Sequence, residues 1–163
     1  RGGRKAWLLG LTAAGVVATA GLALPGAGQW WPALVLFGVA SVAFFASNSL
    51  YDALLIEVAE ARDYDRVSAL GYALGYLGGA LLFTLNVAML LAPARFGLAD
   101  GTAAMQASFL TVAAWWLLFS LPLARHVRER ATAPPPALVS GFGQLRATLR
   151  SLAADRNLLL FLA

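Results

Sequence analysis

Of the 163 residues, 60% are hydrophobic and only 12% charged, against about 25% charged in soluble domains, so a water-soluble globular fold is excluded. The absence of cysteine excludes disulfide frameworks, thiol catalysis and cysteine-bound metal. The net charge of +4 comes from cations that flank apolar runs instead of covering one soluble face, which sets nucleic-acid binding aside.

Four apolar stretches are long enough to cross about 30 Å of hydrocarbon, which takes roughly 20 helical residues. Spans are predicted over residues 6–24, 31–56, 67–92 and 105–124, and a fifth starts at 158. The fold expected is an all-α, polytopic transmembrane bundle of four full spans plus the start of a fifth. The chain opens on Arg1-Gly2-Gly3-Arg4-Lys5 without a methionine and reads as an internal piece of a longer protein. The rival reading of the first run, a signal peptide, fits poorly because the run exceeds the usual apolar core of roughly 7 to 15 residues. Arg1, Arg4 and Lys5 precede span one, Arg62 and Arg66 separate spans two and three, and the remaining cations except Arg95 follow span four. By the positive-inside rule both ends and the 57–66 loop are expected in the cytoplasm.

In span one, Thr12, Gly15 and Thr19 share a small-residue face suited to helix packing. A turn over residues 25–28 leads into span two at Trp30 and Trp31, a pair suited to the aromatic belt; spans one and two are therefore expected to be antiparallel neighbours. Along span two Ser41, Phe44, Asn48 and Asp52 fall on one face. Two readings of Asp52 stand: it snorkels to the nearby cytoplasmic loop, or with Asn48 it lines a wet cavity. Tyr51, beside the stripe, is a further candidate for the cavity wall.

The 57–66 loop mixes Glu57 and Asp65 with Arg62 and Arg66. It reads either as a solvated loop or as a source of breakable ion pairs, each worth about 0 to 1 kcal/mol. Span three carries Gly71, Gly75, Gly78, Gly79, Leu82 and Asn86 within roughly a 100° arc. Interior glycines cost about 1 kcal/mol each in a water-exposed helix, but in a bilayer the helix forms regardless and the bare stripe allows a tightly packed neighbour. Asn86, at the end of the stripe, either lines a binding site or makes an interhelical hydrogen bond. The outer connection over 93–100 shows no motif. In span four, Pro122 is expected to end or kink the helix, and His126 reads as a solvated interface residue instead of a ligand. Beyond it, a proline connector and an apolar repeat at Leu138, Phe142, Leu145, Leu149 and Leu152 predict an amphipathic helix over 139–153. The division expected is a membrane lobe over 1–124, a cytoplasmic linker over 125–156, and the start of a second lobe over 157–163.

No nucleophile–histidine–acid set, metal-spaced cluster or phosphate loop is present, so neither an enzyme nor a cofactor is expected. The glycines after Ser68 lack the preceding strand of a dinucleotide fingerprint. Buried amides, one acid and a close-packing stripe in a helical bundle are what a solute pathway requires.

Two motifs carry a resemblance. Residues 1–5 resemble the tail of the D-R-x-G-R-[RK] loop signature of the major facilitator superfamily. The stretches Asn48-Ser-Leu-Tyr-Asp-Ala-Leu-Leu-Ile-Glu57 and Arg66-Val-Ser-Ala-Leu-Gly-Tyr-Ala-Leu-Gly-Tyr-Leu-Gly-Gly79, with residues 157–163, are similar to its vacuole-effluxer-like branch. The resemblance implies that the four spans correspond to helices three to six, followed by the central linker and the start of helix seven. It implies a secondary active transporter that moves a small solute by rocking two lobes. Fungal members are associated with amino-acid efflux from the vacuole, so amino acids or related metabolites are the solutes implied. Asn48, Tyr51, Asp52 and Asn86 are the candidates for substrate or proton coupling, and Gly71, Gly75, Gly78 and Gly79 for helix packing. Gly3, Arg4, Lys5, Glu57, Arg62, Asp65 and Arg66 are the candidates for a cytoplasmic gate. The partners expected are the bilayer of a bacterial inner membrane, the solute with a coupling proton, and the missing helices of the same chain. Gly75 is followed by Tyr76, unlike the G-x-x-x-G-P pattern of drug–proton antiporters, so that activity is not implied. The competing reading is a membrane scaffold or sensor that oligomerises through the glycine helix.

Overall fold

A computed structural model of the chain describes residues 3–58, 61–127, 143, 146 and 150, with the backbone alone at 55–58 and 61. Residues 3–127 lie within one unit, Gly2–Arg130, to which the following description belongs. The start of the second lobe and the proline connector lie outside the described residues, as does the amphipathic helix over 139–153 apart from the three isolated positions, which are helical.

Four α-helices make up the unit: α1 (Arg4–Gly21), α2 (Trp30–Val58), α3 (Tyr64–Leu91) and α4 (Gly101–His126). Short 3₁₀ turns at Ala61–Asp63 and Pro93–Phe96 join α2 to α3 and α3 to α4. Three segments, Trp30–Leu54, Tyr64–Leu91 and Gly101–His126, are long and apolar enough to cross a membrane. The 18-residue α1 carries Arg4 and Lys5 in its first turn and does not join that group. At about 1.5 Å per residue its length falls slightly short of the hydrocarbon core.

The helix ends follow local chemistry. Pro25 disfavours helical backbone at the residue before it; α1 stops at Gly21, earlier than the span predicted to residue 24, and the chain leaves through a turn in which Leu24 N–H donates to Gly21 carbonyl at 3.0 Å. Gly28 takes the left-handed φ of +84° that closes the hairpin. α4 starts at residue 101 because the Asp100 carboxylate accepts the Ala103 N–H at 2.8 Å and caps the helix. Of the two effects expected of Pro122, ending the helix is corrected: α4 continues through it to His126. A proline removes one helical donor, and a helix already committed by its apolar length absorbs that loss within one turn.

Helix α1 packs against both α2 and α4, and α4 also against α3, whereas α2 and α3 touch little. The spatial order is therefore α2, α1, α4, α3. As expected from their short turn, α1 and α2 are packed neighbours. Leu8, Thr12, Gly15, Ala18 and Thr19 form the buried face of α1, and Ala40, Ala43, Ser47 and Leu54 that of α2. In lipid, where apolar side chains gain nothing by leaving their solvent, small residues permit the close approach that dispersion requires.

The tightest point is Gly15. A Cβ built there would stand 2.6 Å from Trp116 Cζ3 and 3.1 Å from Ala43 Cβ. The Trp116 ring lies edge-on to Phe44, centroids 5.7 Å apart, so one indole reaches from α4 to both α1 and α2. Polar groups inside the apolar helices bond to their own backbone: Ser47 Oγ donates to Phe44 carbonyl at 2.9 Å and Ser120 Oγ to Trp116 carbonyl at 2.7 Å, as a dry environment requires.

Candidate functional site

The polar stripe of α2 is set by what the opposite side of that helix must do. Ala40, Ala43, Ser47 and Leu54 form the buried line of α2, small where α1 comes closest, at Ala43 beside Gly15. At about 100° per residue, the line through Phe44, Asn48 and Asp52 then falls roughly 110° round the helix from the buried line. Asn48 and Asp52 are both exposed. Neither makes a hydrogen bond or ion pair among the described residues, leaving an amide and a carboxylate on an apolar helix available to another partner.

Tyr51 is half exposed, and its hydroxyl oxygen would lie 3.9 Å from a Cβ at Gly71, which links α2 to α3. The glycine stripe begins there and behaves differently along its length. At Gly78 a Cβ would meet the Trp115 ring at 3.5 Å, while at Gly75 and Gly79 nothing lies within 4 Å. Toward the C-terminal end of α3, Thr111 Oγ1 donates to Asn86 Oδ1 at 2.8 Å, and Met89 is buried one turn on. Of the two uses foreseen for Asn86, the described residues contain the interhelical hydrogen bond. The stripe therefore meets α4 at Gly78 and Asn86, while Gly75 and Gly79 face open space among the described residues.

The residues named for a cytoplasmic gate lie at the start of α1, the end of α2, the Ala61–Asp63 turn and the start of α3. Gly3 precedes α1, and Arg4 and Lys5 are helical, forming the first turn of α1 instead of a loop. The Lys5 ammonium donates to the Val127 carbonyl at 2.7 Å. Arg62 pairs with Asp63 at 3.5 Å, with side chains 80% and 46% exposed, an exposed pair worth about 0 to 1 kcal/mol. Asp65 and Arg66 are exposed on the first turn of α3, where the aspartate suits the positive end of the helix dipole. The Glu57 side chain and all of Arg1 lie outside the described residues. His126 is exposed, its Nδ1 3.1 Å from the Pro122 carbonyl.

Two shallow apolar grooves, one over Leu22, Trp30, Ala33, Leu34, Phe37 and Phe109, the other between α1 and α2 beside Gly38 and Val42, contain none of the candidate residues. Sequence reasoning missed three features. The Asp100 cap was readable as an acid immediately before an apolar run. The reach of Trp116 to Gly15 and the bond between Lys5 and Val127 join residues about 100 or more positions apart, for which the linear pattern holds no signal.

Residues 56–163 match the family model described as "Vacuole effluxer Atg22 like". The chain is 36% identical over 152 residues to the protein named "Uncharacterized MFS-type transporter YxiO" of Bacillus subtilis (strain 168). That alignment covers 91% of the chain and 36% of the relative's length. No solved structure matches the chain significantly.

Proposed function

The chain belongs to the Atg22-like vacuole effluxer family, and on that premise we propose that it is part of a secondary active transporter that carries a small solute across a membrane by alternating access. The observation that carries the reading is the exposed Asn48 and Asp52 face of α2, turned away from the helix's own packing contacts. A carboxylate and an amide on a membrane-crossing helix are costly against lipid, and no helix of the unit uses them. They therefore suit a water-filled pathway completed by helices outside this stretch. In this reading Asp52 binds the solute or the coupling proton, Asn48 and Tyr51 shape the same wall, and the open glycines of α3 let a moving helix slide at close range. Amino acids or related metabolites are the solute class proposed, and a bacterial cytoplasmic membrane the location, with the cationic helix ends inside.

Single cysteines at positions 48, 52 and 86 of the full-length protein test the pathway. Labelling of 48 and 52 by a small membrane-impermeant thiol reagent, altered by transported solute, is the expected result. Position 86 should label more slowly because it is partly covered where α3 meets α4. Failure of 48 and 52 to label from either side, while loop positions label normally, would refute the pathway. Asp52→Asn should abolish transport or remove its dependence on pH; unchanged transport with an unchanged pH profile sinks the role given to Asp52.

The open space at Gly75 and Gly79 also favours a second reading, a scaffold or sensor whose glycine stripes pair between copies. A cysteine at Gly75 that crosslinks between protomers, combined with unlabelled positions 48 and 52, would select it.

A further inference from the structure

Helices α1 and α4 meet at one end of the unit through a polar contact between residues 122 positions apart, Lys5 Nζ donating to Val127 carbonyl at 2.7 Å. Val127 is the C-cap of α4, so the ammonium sits at the negative end of that helix, where the last carbonyls lack helical partners. An ammonium has three donors, and this contact uses one.

The contact gathers two basic runs at one corner: Arg4 and Lys5 on the first turn of α1, Arg125 and His126 on the last turn of α4. Arg4, Arg125 and His126 are exposed. Neither helix contains an acidic residue; Asp100 caps the opposite end of α4, and Glu129, two residues beyond Val127, is flanked by Arg128 and Arg130 in sequence. The corner also stands where α4 leaves its membrane-crossing run. Elsewhere on the same two helices Trp7 is 72% exposed and Phe119 62%, with Trp7 about 200° round α1 from Lys5.

We infer that this corner is a binding site for the phosphate headgroup of an anionic phospholipid, with Lys5 and Arg125 as its phosphate donors. The Lys5–Val127 contact builds the site by holding the two cationic turns together. Basic pockets between membrane helices at the aqueous boundary supply the charge complementarity such a lipid needs. The inference requires that the helices cross a membrane and is independent of transport.

Native mass spectrometry of the full-length protein, titrated with phosphatidylglycerol or phosphatidylcholine, tests it. The wild type should retain phosphatidylglycerol in preference. Removing one cation should weaken that retention about fivefold, and Lys5→Gln with Arg125→Gln about 25-fold, with phosphatidylcholine binding unchanged. Lys5→Arg should restore it, and Arg95→Gln, on the 3₁₀ turn at the opposite end of the unit, should leave it intact. Should the double variant not fold, Arg125→Gln alone, an exposed residue without a hydrogen bond among the described residues, should still show the fivefold loss. Wild-type retention in these variants, or an equal loss in Arg95→Gln, would overturn the site. Displacement of the lipid by equimolar glycerol phosphate would overturn the lipid as its ligand in favour of a soluble phosphate.

Discussion

Replacing Gly15 by alanine adds a single methyl group where α1, α2 and α4 converge. The new Cβ would lie 2.6 Å from Trp116 Cζ3 and 3.1 Å from Ala43 Cβ. Carbon atoms pack best at about 3.5 to 4.0 Å, so the indole must retreat by about 1 Å. It has little freedom to do so, because its ring is edge-on to Phe44 at 5.7 Å. Overpacking of this kind costs about 1 to 3 kcal/mol. Against it stands the helix-propensity gain of alanine over glycine, at most about 1 kcal/mol, so the net effect is destabilising. Gly10, on the same helix, has nothing within 4 Å of its built Cβ, and there only the propensity gain operates. In thermal unfolding of the full-length protein in lipid, Gly15→Ala should lower the midpoint and Gly10→Ala should hold or raise it. Trp116→Phe shortens the opposing ring and should recover part of the Gly15→Ala loss, measured as a coupling in a double-mutant cycle. An unchanged or raised midpoint for Gly15→Ala, with no coupling to position 116, would refute the three-helix junction.

Other perturbations follow from single contacts. Asp100→Ala removes the cap of α4 and should cost about 1 kcal/mol, whereas Asp100→Asn should retain most of the stability; equal midpoints for the alanine variant and wild type would contradict the cap. Asn86→Leu and Thr111→Val should each destabilise the α3–α4 contact and show a coupling energy of about 0.6 kcal/mol, the mean for membrane hydrogen bonds, with strict additivity as the adverse result. Gly75→Leu fills space that is empty in this unit, so it should leave the packing of these four helices intact yet block folding or transport of the full-length protein. Normal expression with normal transport would show that no close neighbour uses the stripe.

The membrane class and the four helices were legible in the linear sequence, because in a bilayer an uncharged run of sufficient length has no competing way to satisfy its backbone. The short 25–28 turn likewise dictated that α1 and α2 pack together, and Thr12, Gly15 and Thr19 on one face identified the side of α1 that is buried. Family membership was legible too, in the motif at 66–79, which lies inside the matched region 56–163. Periodicity shows which residues share a face but is silent on what that face meets. The sequence treated the α3 glycines as the close-packing surface; among the described residues the closest approach is at Gly15, because an indole about 100 positions away projects there, while Gly78 meets Trp115 at ordinary contact distance. Asn48 and Asp52 could be placed on one stripe from spacing alone. That the stripe is turned from α1 was decided by the small side chains on the neighbouring face, which alone permit the two backbones to approach. Lys5 reads in sequence as one more membrane-flanking cation, and only the meeting of α1's first turn with α4's last carbonyls makes it a contact between two helix ends.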